Sequence, residues 1–275
     1  MLRCSLLLLQ ICCLYQKLTS RGKVADALHV LKVPSAGCLC DIRRRLFPRK
    51  DRERALADTS PPVPLTTNGR AQTAPRKIAP LSTVLFVSKS HQPDPSQLAG
   101  DDDPTTPQES NLPTDKHWTD VPARGSIVLL QQPAGQTCAL LGDIVGTRLK
   151  ARGLAGVVVD GRTRDVVGCG ELMSSGEFGV WTKGLGAAGT SLEAKPWAVD
   201  VPVRVGGVFV RPGDFVVVDE AERGLVVIPR EKLKEVAEIL PGLKKADDGV
   251  LEEVRKGVEL REAFQRHPGH YTHLA

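Results

Sequence analysis

The sequence predicts an α/β fold with a mixed sheet at its core and helices flanking it. Three observations carry this. Gly156–Asp160 (GVVVD) is apolar and β-branched up to its last residue, as in a strand buried on both faces. Around it, strand, helix, strand, turn and helix patterns alternate between Gly125 and Met173. Beyond Pro202 the strands become short and turn-linked, which suggests an antiparallel portion.

From the N-terminus, Val24, Ala27, Leu28 and Leu31 recur at helical spacing before Pro34–Gly37 breaks the pattern. Ser82–Ser88 (STVLFVS) reads as a buried strand, set between two polar, proline-bearing stretches, 49–77 and 90–116, that read as expanded loops. Gly125–Gln131 is a strand, Ala134–Arg152 a helix, and Asp160-Gly161 a turn. Val166–Met173 reads as a short helix, and Gly179–Trp181 and Pro202–Val210 as strands. Pro212-Gly213-Asp214 turns the chain into Phe215–Asp219, with Leu225–Ile228 as its hairpin partner. Amphipathic helices follow over Glu231–Leu240 and Asp247–Phe264. One domain over 24–266 is the simplest organisation, with a 267–275 tail and an apolar segment, 1–23, in front.

That first segment lacks acidic residues, and Ser5–Tyr15 is nearly all apolar, which suits the h-region of a signal peptide or a mitochondrial address. No small-residue cleavage site follows, the run is short for a membrane helix, and an apolar first helix is the plainer reading. A cytoplasmic protein without a membrane span is therefore expected, with mitochondrial or secreted forms as alternatives. The net charge is +5, and seven Lys and Arg crowd residues 43–54 with Phe47 as the single aromatic among them. This reads as a solvated loop with no nucleic-acid partner. Seven irregularly spaced cysteines give no disulfide framework and no zinc-finger pairs. Cys138 and Cys169 read as small buried apolar residues.

The chemistry concentrates in Gly142–Asp165 (GDIVGTRLKARGLAGVVVDGRTRD). Arg164 and Asp165 follow a buried strand, and ligands of open α/β sheets bind at the carboxyl ends of strands. An arginine offers a planar fork matched to a carboxylate, and an aspartate offers oxygen to a hard cation. Side by side they can bind an anion and its metal, although an Arg-Asp pair is also a common surface ion pair of little energetic value. His267, His270 and His273 offer a weaker metal pattern, spoiled by Pro268 and Gly269, and Glu193 and Lys195 lie in a loop within possible reach of the site.

Asp143, twenty residues, then Arg164-Asp165 reproduces the D-x20-R-D signature of the RraA-like aldolases, and VVVDGRTRD resembles their V-x-D-G-x-x-R-D core. The segment VPVRVGGVFVRPGDFVVVDEAERGLVVIPRE is similar to their V-P-V…P-G-D…V-V-V-I-P stretch. VADALHVLKVPSAG and KIAPLSTVLFV look like the family's early helix and first core strand. QQPAGQ departs from the more polar turn that is usual after the next strand. The resemblance implies a swivelling β/β/α sandwich. It also implies a class II aldolase acting on 4-hydroxy-4-methyl-2-oxoglutarate, with oxaloacetate decarboxylase activity, through a metal-stabilised pyruvate enolate. It places carboxylate binding on Gly142, Asp143, Ile144 and Val145 and the oxo-acid end of the substrate on Arg164. Asp165 becomes the protein ligand to Mg²⁺ or Mn²⁺, and Asp143 holds a water near the metal. Catalysis thus falls to Asp143 and Arg164, in a homotrimer or homohexamer. The family also contains a non-catalytic regulator that binds an RNA-processing enzyme, and this is the alternative. The continuously apolar strands after Pro212 suggest that a partner subunit covers them, bringing Glu220 or Glu222 to a neighbour's site.

Overall fold

A computed structural model describes residues 77–92, 107–205, 208–219 and 224–270. The early helix, the basic run, the apolar first segment, five of the cysteines, Glu220, Glu222 and His273 lie outside the described residues, as does most of both expanded loops. The described residues fall into two compact units, 77–227 and 228–270.

The larger unit holds the strands β1 (Lys77–Ser88), β2 (Ile127–Gln131), β3 (Ala139–Leu141), β4 (Gly156–Thr163), β5 (Gly179–Leu185), β6 (Ala194–Val199), β9 (Phe215–Asp219) and β10 (Gly224–Ile228). They form an eight-stranded mixed sheet in the order β10-β9-β1-β2-β4-β3, with β6 also paired to β1 and β5 to β4. β7 (Val203–Val205) and β8 (Val208–Val210) form a separate antiparallel hairpin. β1, β2, β4, β3 and β5 pair in parallel, while β6 and β9 run antiparallel to β1. The mixed α/β architecture read from the sequence is therefore present.

The central strands are buried on both faces. On β2 and β4, Val128, Leu130, Val157 and Val159 join one apolar cluster with Leu140, Leu149 and Cys169. Ile127, Leu129 and Val158 join a second with Val203, Val205 and Val210 of the hairpin. Period-two alternation puts neighbouring residues on opposite faces, so an unbroken apolar run is what a strand covered twice requires. Helices α1 (Asp143–Ala151) and α2 (Val166–Met173) belong to the first cluster's side, through Leu149 and Cys169.

Several elements differ from expectation. The helix expected over Ala134–Arg152 begins only at Asp143, because Ala139–Leu141 is a fully buried strand beside β4. The Asp160-Gly161 turn is absent, and β4 continues to Thr163. The cause is a change of neighbour. β2 pairs with β4 only as far as Gln131–Asp160, and β3 takes over at Arg162. The buried Gln132 side chain bridges this handover, its Oε1 accepting from the Arg162 N–H at 2.9 Å and its Nε2 donating to the Cys138 carbonyl at 2.7 Å. Gly161 leaves the room, since a Cβ there would collide with the Gln132 side chain. β6 was missed because AKPWAV carries a lysine and a proline. Pro196 has no N–H to give, and it sits beside the register shift at Phe86, on a strand paired along one side only. The strand expected over Pro202–Val210 is the hairpin β7–β8.

In the smaller unit the break between the two expected helices is shifted: α3 (Leu233–Arg255) runs through Pro241 and takes in the start of the second. It stops at Gly257 (φ 88°), where the Gly257 and Val258 N–H groups donate to the carbonyls of Val254 and Glu253, at 3.0 and 3.1 Å. This left-handed glycine cap is a stronger stop than a proline inside a helix with buried Leu240 and Val250. α4 (Leu260–Arg266) follows, and His267 leaves it with its ring against Gly249. Among the described residues, no three His, Cys, Asp or Glu side chains converge as a metal group, and His273, the third residue of the histidine pattern, lies outside them. None of the helices in the described residues is long and apolar enough to cross a membrane.

The Gln132 bridge gives a measurable expectation. Gln132→Leu leaves the Arg162 N–H and the Cys138 carbonyl without a partner, and should cost about 2–4 kcal/mol in urea denaturation. A cost below about 1 kcal/mol would show that the handover does not need the amide.

Candidate functional site

The carboxyl ends of β3 and β4 build the site. After Thr163, the Arg164 N–H donates to the Leu141 carbonyl at 2.9 Å, tying the two strand ends together. Asp165 then takes a left-handed conformation, φ 54° and ψ 51°, as the N-cap of α2. That region costs a non-glycine residue about 1–2 kcal/mol. The turn is held by the Cys169 N–H, which donates to the Asp165 carbonyl at 2.9 Å, and by the Cys169 thiol, 3.5 Å from the Arg164 carbonyl oxygen.

Arg164 and Asp165 make an ion pair, Nη1 to Oδ2, at 3.4 Å, with 41% and 32% of their side chains exposed. A pair this open contributes little stability, so its charges remain available to a ligand. Gly142 lies directly against it. A Cβ on Gly142 would fall 2.6 Å from Asp165 Oδ2 and 3.2 Å from Arg164 Nε. Gly142 is also the N-cap of α1, and its lack of a side chain lets the helix start run beside both functional groups. Asp143 opens α1, its Oδ1 accepting from the Ile144 N–H at 2.6 Å. From the other side α2 presents Gly168, where a Cβ would lie 2.7 Å from the Asp143 Cβ. Val145 packs against the core, and Ile144 is 76% exposed. Gly142, Asp143, Arg164 and Asp165 are thus gathered at one place, with Ile144 and Val145 in the adjoining first turn.

Two first turns meet here, with their outward N–H groups and the positive ends of two helix dipoles. Such a place favours an anion. The Asp143 and Asp165 carboxylates are hard oxygen donors suited to a hard divalent cation. Among the described residues they form no group of three acidic, His or Cys side chains that could hold a metal by itself. A cation held by Asp165 would take its remaining ligands from water and substrate, an arrangement that Mg²⁺ tolerates well. The donors present fit Mg²⁺ or Mn²⁺ on those terms.

Cys169 is fully buried below the site, and its thiol is pushed up to about 11, first by burial and then by the Asp143 and Asp165 carboxylates, against Arg164. Burial followed by Glu193 also raises Cys138. Neither thiol is poised as a nucleophile. Glu193 and Lys195 have other work. The Glu193 carboxylate accepts from the N–H groups of Thr137 and Cys138 at 2.6 and 2.9 Å, holding the turn that leads into β3. Lys195 donates to the His91 carbonyl at 2.8 Å and lies over the Trp197 ring. A groove of about 660 Å³ beside Lys89, Gly135, Gln136 and Glu193 is lined by none of the residues of the site. Sequence reasoning missed Gln132 and Gly168, and it named Glu193 as a loop residue near the site where the structure makes it the clamp of the turn into β3. Gln132 is a polar residue in an unremarkable loop, and only the small residues Gly168 and Gly170 in VVGCGE hint at the close approach of α2.

Residues 66–227 match the sequence model of the RraA-like family, described as Aldolase/RraA. An uncharacterized protein of Methanocaldococcus jannaschii is 34% identical over 127 residues, which cover 46% of this chain and 57% of that protein. A protein of Halalkalibacterium halodurans, named "Putative 4-hydroxy-4-methyl-2-oxoglutarate aldolase", is 33% identical over 124 residues, covering 45% of this chain and 55% of its own. The chain therefore spans a little over half the length of these relatives. The crystal structure of an uncharacterized protein from Pseudomonas syringae superposes with a TM-score of 0.51 at 20% identity, over 84% of this chain and 98% of that one. That likeness concerns the fold.

The Glu193 clamp carries a pH signature. Its hydrogen bonds from Cys138 and Thr137 lower the Glu193 pKa from the ordinary carboxylate value. A depressed folded-state pKa gives stability that is present above the unfolded value and lost as pH falls through the folded one. Glu193→Gln should therefore lower Tm at neutral pH, and the gap to wild type should close as pH drops below the usual carboxylate range. A gap independent of pH would show that the carboxylate charge is not what holds the turn.

Proposed function

The chain belongs to the RraA-like family, whose sequence model covers more than half of it, and on that premise we propose that it is a divalent-metal-dependent carbon–carbon lyase. It would cleave substrates of the 4-hydroxy-4-methyl-2-oxoglutarate type to pyruvate and decarboxylate oxaloacetate. The observation that carries the reading is the meeting of Asp143, Arg164 and Asp165 around the bare backbone of Gly142. The names of relatives such as the Halalkalibacterium halodurans protein support it.

Each residue has a part in that chemistry. The Arg164 guanidinium binds the oxo-acid end of the substrate and places positive charge where negative charge develops. First-turn N–H groups over Gly142–Val145 receive a carboxylate. Asp165 would hold Mg²⁺ or Mn²⁺, and a bound cation supplies Lewis acidity toward the 2-oxo acid. Asp143 accepts the proton of the 4-hydroxyl, directly or through water, in the aldol cleavage. Decarboxylation has no such proton to remove.

Pyruvate release from oxaloacetate and from 4-hydroxy-4-methyl-2-oxoglutarate tests the reading. EDTA should abolish both activities, and Mg²⁺ or Mn²⁺ should restore them. Full activity in excess chelator excludes the metal. Arg164→Ala should lower kcat/KM by about 10²–10³-fold, the scale for one lost charge stabiliser. Asp165→Ala should remove activity and metal dependence together. Asp143→Asn should harm aldol cleavage more than decarboxylation, and equal losses would take the proton away from Asp143.

The same reading includes a homotrimer or homohexamer. The apolar strands after Pro212 no longer argue for it, because Val216, Val218, Leu225 and Val227 are buried within the chain's own second cluster. What supports assembly is Ile144 and Val167, 76% and 66% exposed beside the site on the first turns of α1 and α2. Light scattering should give a trimer or hexamer, and a monodisperse, fully active monomer would refute it.

A further inference from the structure

α1 and α2 lie parallel and in register. At their N-terminal ends, Gly168 abuts Asp143, and a Cβ there would come 2.7 Å from the Asp143 Cβ. One turn on, Gly146 abuts Leu172, where a Cβ would lie 2.7 Å from Leu172 Cδ1. At the far ends, Lys150 Nζ donates to the Leu172 carbonyl at 2.7 Å and lies 3.3 Å from Ser175 Oγ. Asp143, Gly146 and Lys150 share one face of α1 by their spacing, as Gly168, Leu172 and Ser175 share one direction along α2 and its continuation. Leu172 is in the last turn of α2, so its carbonyl lacks an intrahelical partner. An ammonium there satisfies the carbonyl and complements the negative end of the α2 dipole.

We infer that Lys150 is a positioning residue: its bond to the C-terminal carbonyl of α2 fixes the register of the two helices and thereby the placement of Asp143 relative to Arg164 and Asp165. Both helices are short, of 9 and 8 residues, so each behaves as a stiff rod from end to end. Lys150 stands about 10 Å along α1 from Asp143 at 1.5 Å per residue. The glycine contacts set how closely the helices approach. The lysine contact sets how far one slides along the other. Asp143 is carried by α1 and Asp165 by the start of α2, so a slide between the helices is a displacement between the two carboxylates. Misplacement on the scale of 1 Å suffices to cost about 10²-fold in rate.

The inference rests on the lyase reading for its catalytic consequence, but its structural core is tested without turnover. Lys150→Met keeps the apolar stem and removes the donor, and Lys150→Arg keeps a donor. In Lys150→Met, kcat for oxaloacetate decarboxylation should fall about tenfold, less than the full cost of misplacement, with KM within about twofold. Lys150→Arg should recover most of the loss, and Ser175→Ala, which removes only the longer contact, should leave kcat unchanged. Hydrogen exchange gives the second measurement. Amides over 142–148 and 164–170 should exchange faster in Lys150→Met, although the removed bond is at the other end of the helices. Faster exchange confined to 171–176, or an unchanged kcat in an active enzyme, would overturn the inference and leave Lys150 a simple helix cap. A wild-type protein without lyase activity would overturn the functional reading instead, and the exchange comparison alone would then decide the role of Lys150.

Discussion

The arrangement at the carboxyl end of the sheet depends on β4 exchanging one neighbour for another. Up to Asp160 its backbone is paired with β2, and from Arg162 it is paired with β3. An exchange of neighbours in mid-strand leaves polar backbone groups exposed to an apolar interior, where an unmade hydrogen bond is expensive. The Gln132 amide closes that gap from both sides, bonding the Arg162 N–H and the Cys138 carbonyl. Because β3 is brought in, its last residue, Leu141, can accept from the Arg164 N–H, and Gly142 follows beside Arg164 and Asp165. The site is therefore a consequence of strand order.

The physical signals in the sequence explain which elements were legible. β4 and β9 are long apolar runs whose burial leaves no other reading, and α2 has a clear start after Arg164-Asp165. β3 was hidden because three apolar residues ahead of a helix continue the helical pattern, and only pairing with β4 makes them a strand. β4 seemed to end at Asp160-Gly161, a good turn pair in isolation, because nothing local reveals that Gln132 needs the space of a glycine. The helix expected to end at Leu240 runs on through Pro241 to Arg255, because Leu240 and Val250 are buried along one continuous α3. Tertiary contacts overrode local preference in each case.

The site was legible in a different way. D-x20-R-D brought Asp143, Arg164 and Asp165 into one hypothesis, and the structure places them around Gly142. The motif does not disclose the residues that keep them there. Gln132, Glu193 and Lys150 bond to backbone carbonyls and N–H groups of other segments, and a backbone partner leaves no mark in a side-chain pattern. Gly146 and Gly168 carry a faint mark, as small residues where two helices approach closely.

The energetics of Asp165 indicate what this corner of the fold is built for. Its left-handed backbone costs about 1–2 kcal/mol. The ion pair with Arg164 does not offset that, since an exposed pair contributes about 0–1 kcal/mol. Glycine at the same position would be free of the backbone cost and would cap α2 without a side chain. An aspartate at a position where glycine would be the less strained choice supports a role for the carboxylate itself. Asp143 presses the same way, because it places a second negative charge near Asp165 with the buried Cys169 feeling both. Two carboxylates brought together at the converging N-termini of two helices are tolerable because the dipoles favour negative charge there. They become favourable when a cation joins them. The strain, the weak ion pair and the paired carboxylates are thus all costs to the free protein that a bound divalent cation and an anionic substrate would together offset.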